Sequence, residues 1–156
     1  MLTSLYFNSA IITILWAIAP IVQKILLKEF SPAVIMILFS GLYACCTVVY
    51  AIYKRDEVAK ALPKIDLRVF TLLVISGVFS GFLANRLYYI TLKDYSASVV
   101  TAITAVYPLI TVLLAYLLLS EKINLVTAFG IVFICMGIAM IGYGDYYADV
   151  EPYRND

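Results

Sequence analysis

The residues best placed to do chemistry are two cations, Lys24 and Arg86, because each borders a long uncharged stretch of the chain. Arg86 follows the uncharged run 69–85 and lies seven residues before Lys93, roughly 10 Å below the end of a helix rising 1.5 Å per residue. A guanidinium at that depth in hydrocarbon costs about 3 kcal/mol unless it is paired, hydrated or snorkels outward. Lys24 lies about a turn inside the same face and can reach outward along its aliphatic stem. Two readings stand side by side. In one the cations snorkel; in the other, with Asn85, Trp16 and Tyr107, they line a polar cavity that binds anionic or zwitterionic solutes. No Asp or Glu falls within the apolar stretches, so the intramembrane carboxylate of proton-coupled cation exporters is missing. The chain has no histidine, which removes the usual zinc or haem ligand and the usual general base near neutral pH. No nucleophile with a positioned base is visible either. No catalytic site, metal or other cofactor is expected.

Around these candidates the small and polar residues fall at helical spacing. Ser9, Thr13, Trp16, Pro20 and Lys24 lie within about 80° of one another around a helix axis, and a polar stripe in lipid should face protein or water. Thr101, Thr104, Pro108 and Thr111 form a milder stripe, in which Pro108 removes a backbone hydrogen bond and frees a carbonyl as a ligand or a hinge. Pro20 is the second candidate kink. Gly77 and Gly81 form a small-xxx-small pair, and Gly130, Gly137 and Gly144 recur every seven residues. Such seams let helix backbones approach closely, for packing within the chain or at a dimer interface. At 100° per residue Arg86 lies opposite Gly77 and Gly81, on the side of Phe79, Phe82 and Tyr89.

The elements that must position these residues follow from composition. The 156 residues are 64% apolar and 13% charged, with a mean hydropathy of +0.99, whereas about a quarter of an ordinary soluble domain is charged. Soluble enzymes and nucleic-acid binders are excluded. Uncharged runs at 1–23, 30–53, 95–120 and 123–144 each reach the roughly 20 residues needed to cross hydrocarbon. The run 69–85 reaches that length only by taking Arg86 into the membrane, as a span of 69–92. The expected fold is an all-α polytopic membrane protein with transmembrane helices at about 5–27, 33–53, 68–92, 97–119 and 123–143. They form one domain, 1–144, followed by a short acidic tail, 145–156. The first span has no basic residue before it and is expected to remain in the mature chain.

Five spans put the termini on opposite sides. Lys54, Arg55, Lys60, Lys64, Arg68 and Lys122 fall on the N-terminal side, against Lys28, Lys93 and Arg154 on the other, with Lys24 and Arg86 set aside as embedded. The positive-inside rule then predicts a cytoplasmic N-terminus and a non-cytoplasmic C-terminus. The tail's Asp145, Asp149, Glu151 and Asp156 agree with this. Tyr6, Tyr50, Tyr53, Tyr95, Tyr143, Tyr146 and Tyr147 cluster where helices meet head groups and read as interfacial anchors. The loop from Lys54 to Arg68 has the charge and length for a short surface helix interrupted before Pro63, although its main role is to orient the chain. Cys45, Cys46 and Cys135 lie in apolar spans and read as small packing residues.

The stretch from Tyr95 to Ile123 resembles the EamA-type domain of the drug/metabolite transporter superfamily. It carries Ser96, Ala97 and Ser98, Thr101 and Ala102, Tyr107 and Pro108, then Glu121 and Lys122, in the family's order. Leu83 to Leu92, the glycine-bearing fifth helix, and Trp16 and Lys24 followed by Ser31 and Pro32 are also similar, so the resemblance covers nearly the whole chain. Ser120 stands where the family commonly has glycine, the arginine often seen in the second helix is absent around Phe39 and Ser40, and Arg86 has no counterpart in the family pattern. The resemblance implies carriage of a small polar metabolite across a membrane by alternating access. Most members carry two such repeats and this chain carries one. Two five-helix repeats must lie in opposite orientations, so the expected partner is a second copy in an antiparallel homodimer or an oppositely oriented membrane protein, with a parallel dimer as the remaining choice. Glu121 is expected to be structural, as a helix-end cap or a partner of Lys122. The alternative to a carrier is a non-transporting scaffold or regulatory subunit that packs through the glycine seams. Bilayer lipid and a small solute are the expected molecular partners, and nucleic acid is not one.

Overall fold

In lipid every backbone polar group has to be satisfied within the chain, which leaves helices as the local solution for runs of this length. The computed structural model of the protein describes residues 2–150, with side chains for residues 4–144. Asp145, Tyr146, Tyr147, Asp149, Glu151, Arg154 and Asp156 therefore lie outside the described side chains. The described residues are helical and contain no strand. Five helical spans are long and apolar enough to cross a bilayer: Ser4–Leu26, Pro32–Tyr53, Leu67–Asp94, Ala97–Leu119 and Leu125–Gly144. The protein is an integral, multi-pass, all-α membrane protein.

Three of the five spans are built from a single helix: α1 (Leu2–Leu26), α2 (Pro32–Tyr53) and, at the end of the chain, α8 (Leu125–Val150). Between α2 and the third span lie a short helix, α3 (Arg55–Ala61), and a 3-10 turn at Leu62–Lys64. This is the surface helix that the charged loop promised, ended as Pro63 approaches. The third span starts as α4 (Leu67–Val74), passes through a π-helical stretch at Ile75–Leu83 and ends as α5 (Ala84–Asp94). The fourth is broken into α6 (Ala97–Thr104) and α7 (Tyr107–Leu119).

Local chemistry explains most of these boundaries. Ser31 caps α2, its Oγ accepting from Val34 N at 3.4 Å with Pro32 in the first turn, where a missing N–H costs nothing. Asp66 caps α4 by accepting from Val69 N at 2.8 Å, and Ser96 caps α6 by accepting from Val99 N at 3.4 Å. Asn124 does the same for α8, accepting from Thr127 N at 2.8 Å. The α6–α7 break falls where Pro108 lacks the N–H that would bond the Thr104 carbonyl. Pro20, by contrast, leaves α1 helical from end to end. α7 stops at Ser120, whose φ of 54° is left-handed. The last helix continues to Val150, beyond the expected end near residue 143, so Gly142 and Gly144 do not terminate it.

The chain forms two compact units, residues 1–94 and 95–156. In the first, α5 packs against both α1 and α2, and the buried side chains gather where α1 ends, α2 begins and α5 ends. They are Gln23, Leu27, Ile35, Met36, Tyr89 and Leu92. In the second unit α6 packs against α8, with Val100 buried.

The π-helical stretch bears on the sequence reading of the third span. A wider turn changes the phase between Gly77 and Arg86, so the opposite faces reckoned at 100° per residue do not carry through it. The glycine seams are open: a Cβ built at Gly77, Gly130, Gly137 or Gly144 would meet nothing within 4 Å, and one at Gly81 would meet only the Ser76 carbonyl at 3.8 Å. These glycines make no close intrachain helix contact among the described residues. Cys45, Cys46 and Cys135 are unbridged.

Candidate functional site

The structure gives each sequence candidate a separate environment. Lys24, in the last turn of α1, turns its ammonium onto the end of α5, donating to the Leu92 carbonyl at 2.7 Å and the Lys93 carbonyl at 2.9 Å. The final carbonyls of a helix have no intrahelical donor and carry the negative end of its dipole, so a cation there is favourable by up to about 2 kcal/mol when partly buried. Lys24 thus straps α1 to α5. Asn85 turns back on its own helix, donating from Nδ2 to the Gly81 carbonyl at 2.8 Å and the Ser80 carbonyl at 3.4 Å. Both carbonyls lie in the π-helical stretch, where the regular hydrogen-bond ladder is disturbed. Trp16 is 66% exposed on α1, and Tyr107 is an exposed residue in the first turn of α7, in the second unit.

Arg86 takes part in no ion pair or side-chain hydrogen bond among the described residues. It lines an open groove of about 430 Å³ between α2 and the third span, within the size range of small-molecule sites. Ser31, Pro32 and Ala33 stand at the α2 start of this groove. Met36 and Ile37 of α2 face Phe82 and Ile90 across it. Trp16, Lys24 and Asn85 do not line it. In this unit Lys24 is engaged at the end of α5, while Arg86 lines a groove whose other walls are mainly apolar.

Gln23 was missed by the sequence reading. It is 8% exposed, and its Nε2 donates to the Tyr89 hydroxyl at 3.4 Å, while its Oε1 is buried with no hydrogen-bond partner. Tyr89 is 5% exposed and stacks obliquely on Phe39, with ring centroids 6.4 Å apart. A signal for Gln23 did exist. It falls only about 20° outside the stripe of Ser9, Thr13, Trp16, Pro20 and Lys24 at 100° per residue, so the same stripe extended by one residue includes it.

At the far end of the second unit, Ser120 occupies the conformation that L-residues other than glycine adopt at a cost. That accounts for glycine being the common residue at this position. Glu121 makes no ion pair with Lys122 among the described residues; its backbone N–H instead donates to the Ala115 carbonyl at 3.3 Å, closing the end of α7.

A WAT1-related protein of Arabidopsis thaliana is 34% identical over 82 residues, which is 53% of this chain and 22% of that protein. The chain thus spans about a fifth of its relative's length. No solved structure matches it. The sequence pattern described as the EamA-like transporter family matches residues 4–143, from the start of α1 to the end of the fifth span. The chain belongs to the EamA-like transporter family.

Proposed function

We propose that the protein is a carrier unit that moves a small polar metabolite, anionic or zwitterionic, across a membrane by alternating access. The observation that carries this reading is the family match across all five spans, residues 4–143. The break between α6 and α7 supports it, because a span interrupted at Pro108 supplies both a hinge and an unpaired carbonyl. Trp16, Lys24, Asn85 and Arg86 are proposed as solute contacts on the first unit; on the second, described by itself, Tyr107 is proposed as a solute contact and Pro108 as a hinge, with Pro20 as a point of bending in α1. The Arg86 groove also supports a separate inference.

Five spans form half of an inverted pair, and we propose a second copy of the chain as the other half. The glycines that meet nothing within 4 Å are suited to that contact. The proposed orientation is N-terminus cytoplasmic and C-terminus outside; tagging the C-terminus and scoring its accessibility from each side tests it. A mixed population supports an antiparallel homodimer, and a single orientation refutes it and leaves an oppositely oriented partner or a parallel dimer. The same open glycines favour a second reading, a scaffold without transport activity.

The deciding experiment is uptake by the purified protein in liposomes, run against amino acids, sugar phosphates and nucleotide-derived metabolites. Saturable uptake of a member of one class, lost in Pro108→Ala and Asn85→Ala, supports the carrier. Uptake equal to protein-free liposomes for every class refutes it and leaves the scaffold.

A further inference from the structure

The open groove between α2 and the third span, both long and apolar enough to cross a membrane, presents a guanidinium in mainly apolar surroundings. Among the described residues no carboxylate pairs with Arg86. Met36 and Ile37 across the groove, and Phe82 and Ile90 on its own span, offer aliphatic groups, a thioether and a ring. At the α2 start the lining includes Ser31, whose Oγ accepts from Val34 N and whose hydroxyl hydrogen is left to donate elsewhere. The lining therefore asks for an occupant with a long apolar body and an anionic oxygen-rich end.

From this juxtaposition we infer that the Arg86 groove is a binding site for one anionic phospholipid, its phosphate paired with Arg86 and an acyl chain laid between Met36, Ile37, Phe82 and Ile90. The charge argument is specific. Guanidinium and phosphate match in geometry, two parallel N–H donors to two oxygens, and the pair is strengthened where water is scarce. A basic pocket between membrane helices is a recognised mode of holding acidic lipid head groups. The inference accounts for an arginine placed about 12 Å below the end of α5 at 1.5 Å per residue from Asp94. It is independent of the transported solute.

The test uses the full chain purified in detergent, with dioctanoyl phosphatidylglycerol as the probe and dioctanoyl phosphatidylcholine and inorganic phosphate as comparators. Binding is read by native mass spectrometry and by the shift in thermal unfolding. Phosphatidylglycerol is expected to bind at least tenfold more tightly than phosphatidylcholine, and inorganic phosphate to produce no shift. Arg86→Gln should erase the preference between the lipids, and Ile37→Trp, which fills the groove and keeps the charge, should weaken binding of both. Arg86→Lys, with a cation but no fork, should retain part of the preference. Equal binding of the two lipids, or an undiminished preference in a folded Arg86→Gln protein, overturns the assignment of the phosphate to Arg86. Stabilisation by inorganic phosphate alone makes this a free-anion site. No lipid bound to the wild-type protein overturns the site altogether.

Discussion

Replacing Lys24 by methionine separates a strap from a solute contact. Methionine keeps the length and apolar stem of the side chain and removes the ammonium, so packing along α1 is nearly conserved. The hydrogen bonds to the Leu92 carbonyl at 2.7 Å and the Lys93 carbonyl at 2.9 Å disappear. A hydrogen bond to a charged group is worth about 1.5–3 kcal/mol, which would give about 3–6 kcal/mol for the pair if the contributions added. They do not add fully. Both carbonyls belong to the last turn of α5, where water at the membrane surface takes over part of their bonding, and removing a half-buried cation recovers some desolvation. The net cost should be about 2 kcal/mol, close to the upper range for a cation at a helix end and roughly a 30-fold change in the unfolding equilibrium. Reversible unfolding in mixed micelles measures it, with Lys24→Arg expected to recover half or more. The reasoning fails if Lys24→Met unfolds within 0.5 kcal/mol of the wild type by that measurement. An unchanged stability combined with abolished uptake would leave the ammonium its proposed solute contact alone.

Three further outcomes follow from particular contacts. Ser120→Gly should stabilise the protein by about 1 kcal/mol in the same unfolding assay, because glycine adopts the left-handed conformation at φ 54° without the steric cost serine bears. Tyr89→Phe should cost about 1–2 kcal/mol, by leaving the whole Gln23 amide buried without a partner, and Gln23→Met in the same chain should restore most of the loss, since removing both members of a buried polar pair costs less than removing one. Pro108→Ala should join α6 to α7 and slow amide exchange between residues 104 and 109 by about tenfold, and exchange as fast as in the wild type would show that sequence around the proline, not the ring, breaks the helix.

The sequence placed the five spans within a few residues because crossing hydrocarbon is a one-dimensional requirement: about 20 apolar residues in a row, with polar capping residues at the ends. Ser31, Asp66, Ser96 and Asn124 act through donors three residues away, so their caps were local properties of the chain. The break at Pro108 was local in the same sense. What the tertiary structure decided lies beyond that reach. Lys24 meets carbonyls 68 and 69 residues away, and Gln23 meets Tyr89 66 residues away. Those pairings depend on α1 and α5 ending side by side, which periodicity along one helix does not specify. The π-helical stretch altered the phase on which the face of Arg86 had been reckoned. The glycine seams are regular in sequence, yet a Cβ built at Gly77, Gly130, Gly137 or Gly144 would meet nothing within 4 Å, since spacing sets how closely helices can approach and the packing partner sets whether they do. Arg86 shows both halves at once. Its depth could be counted along the chain, but that Met36, Ile37, Phe82 and Ile90 surround it with hydrocarbon, and no carboxylate answers it among the described residues, was decided by how α2 packs beside the third span.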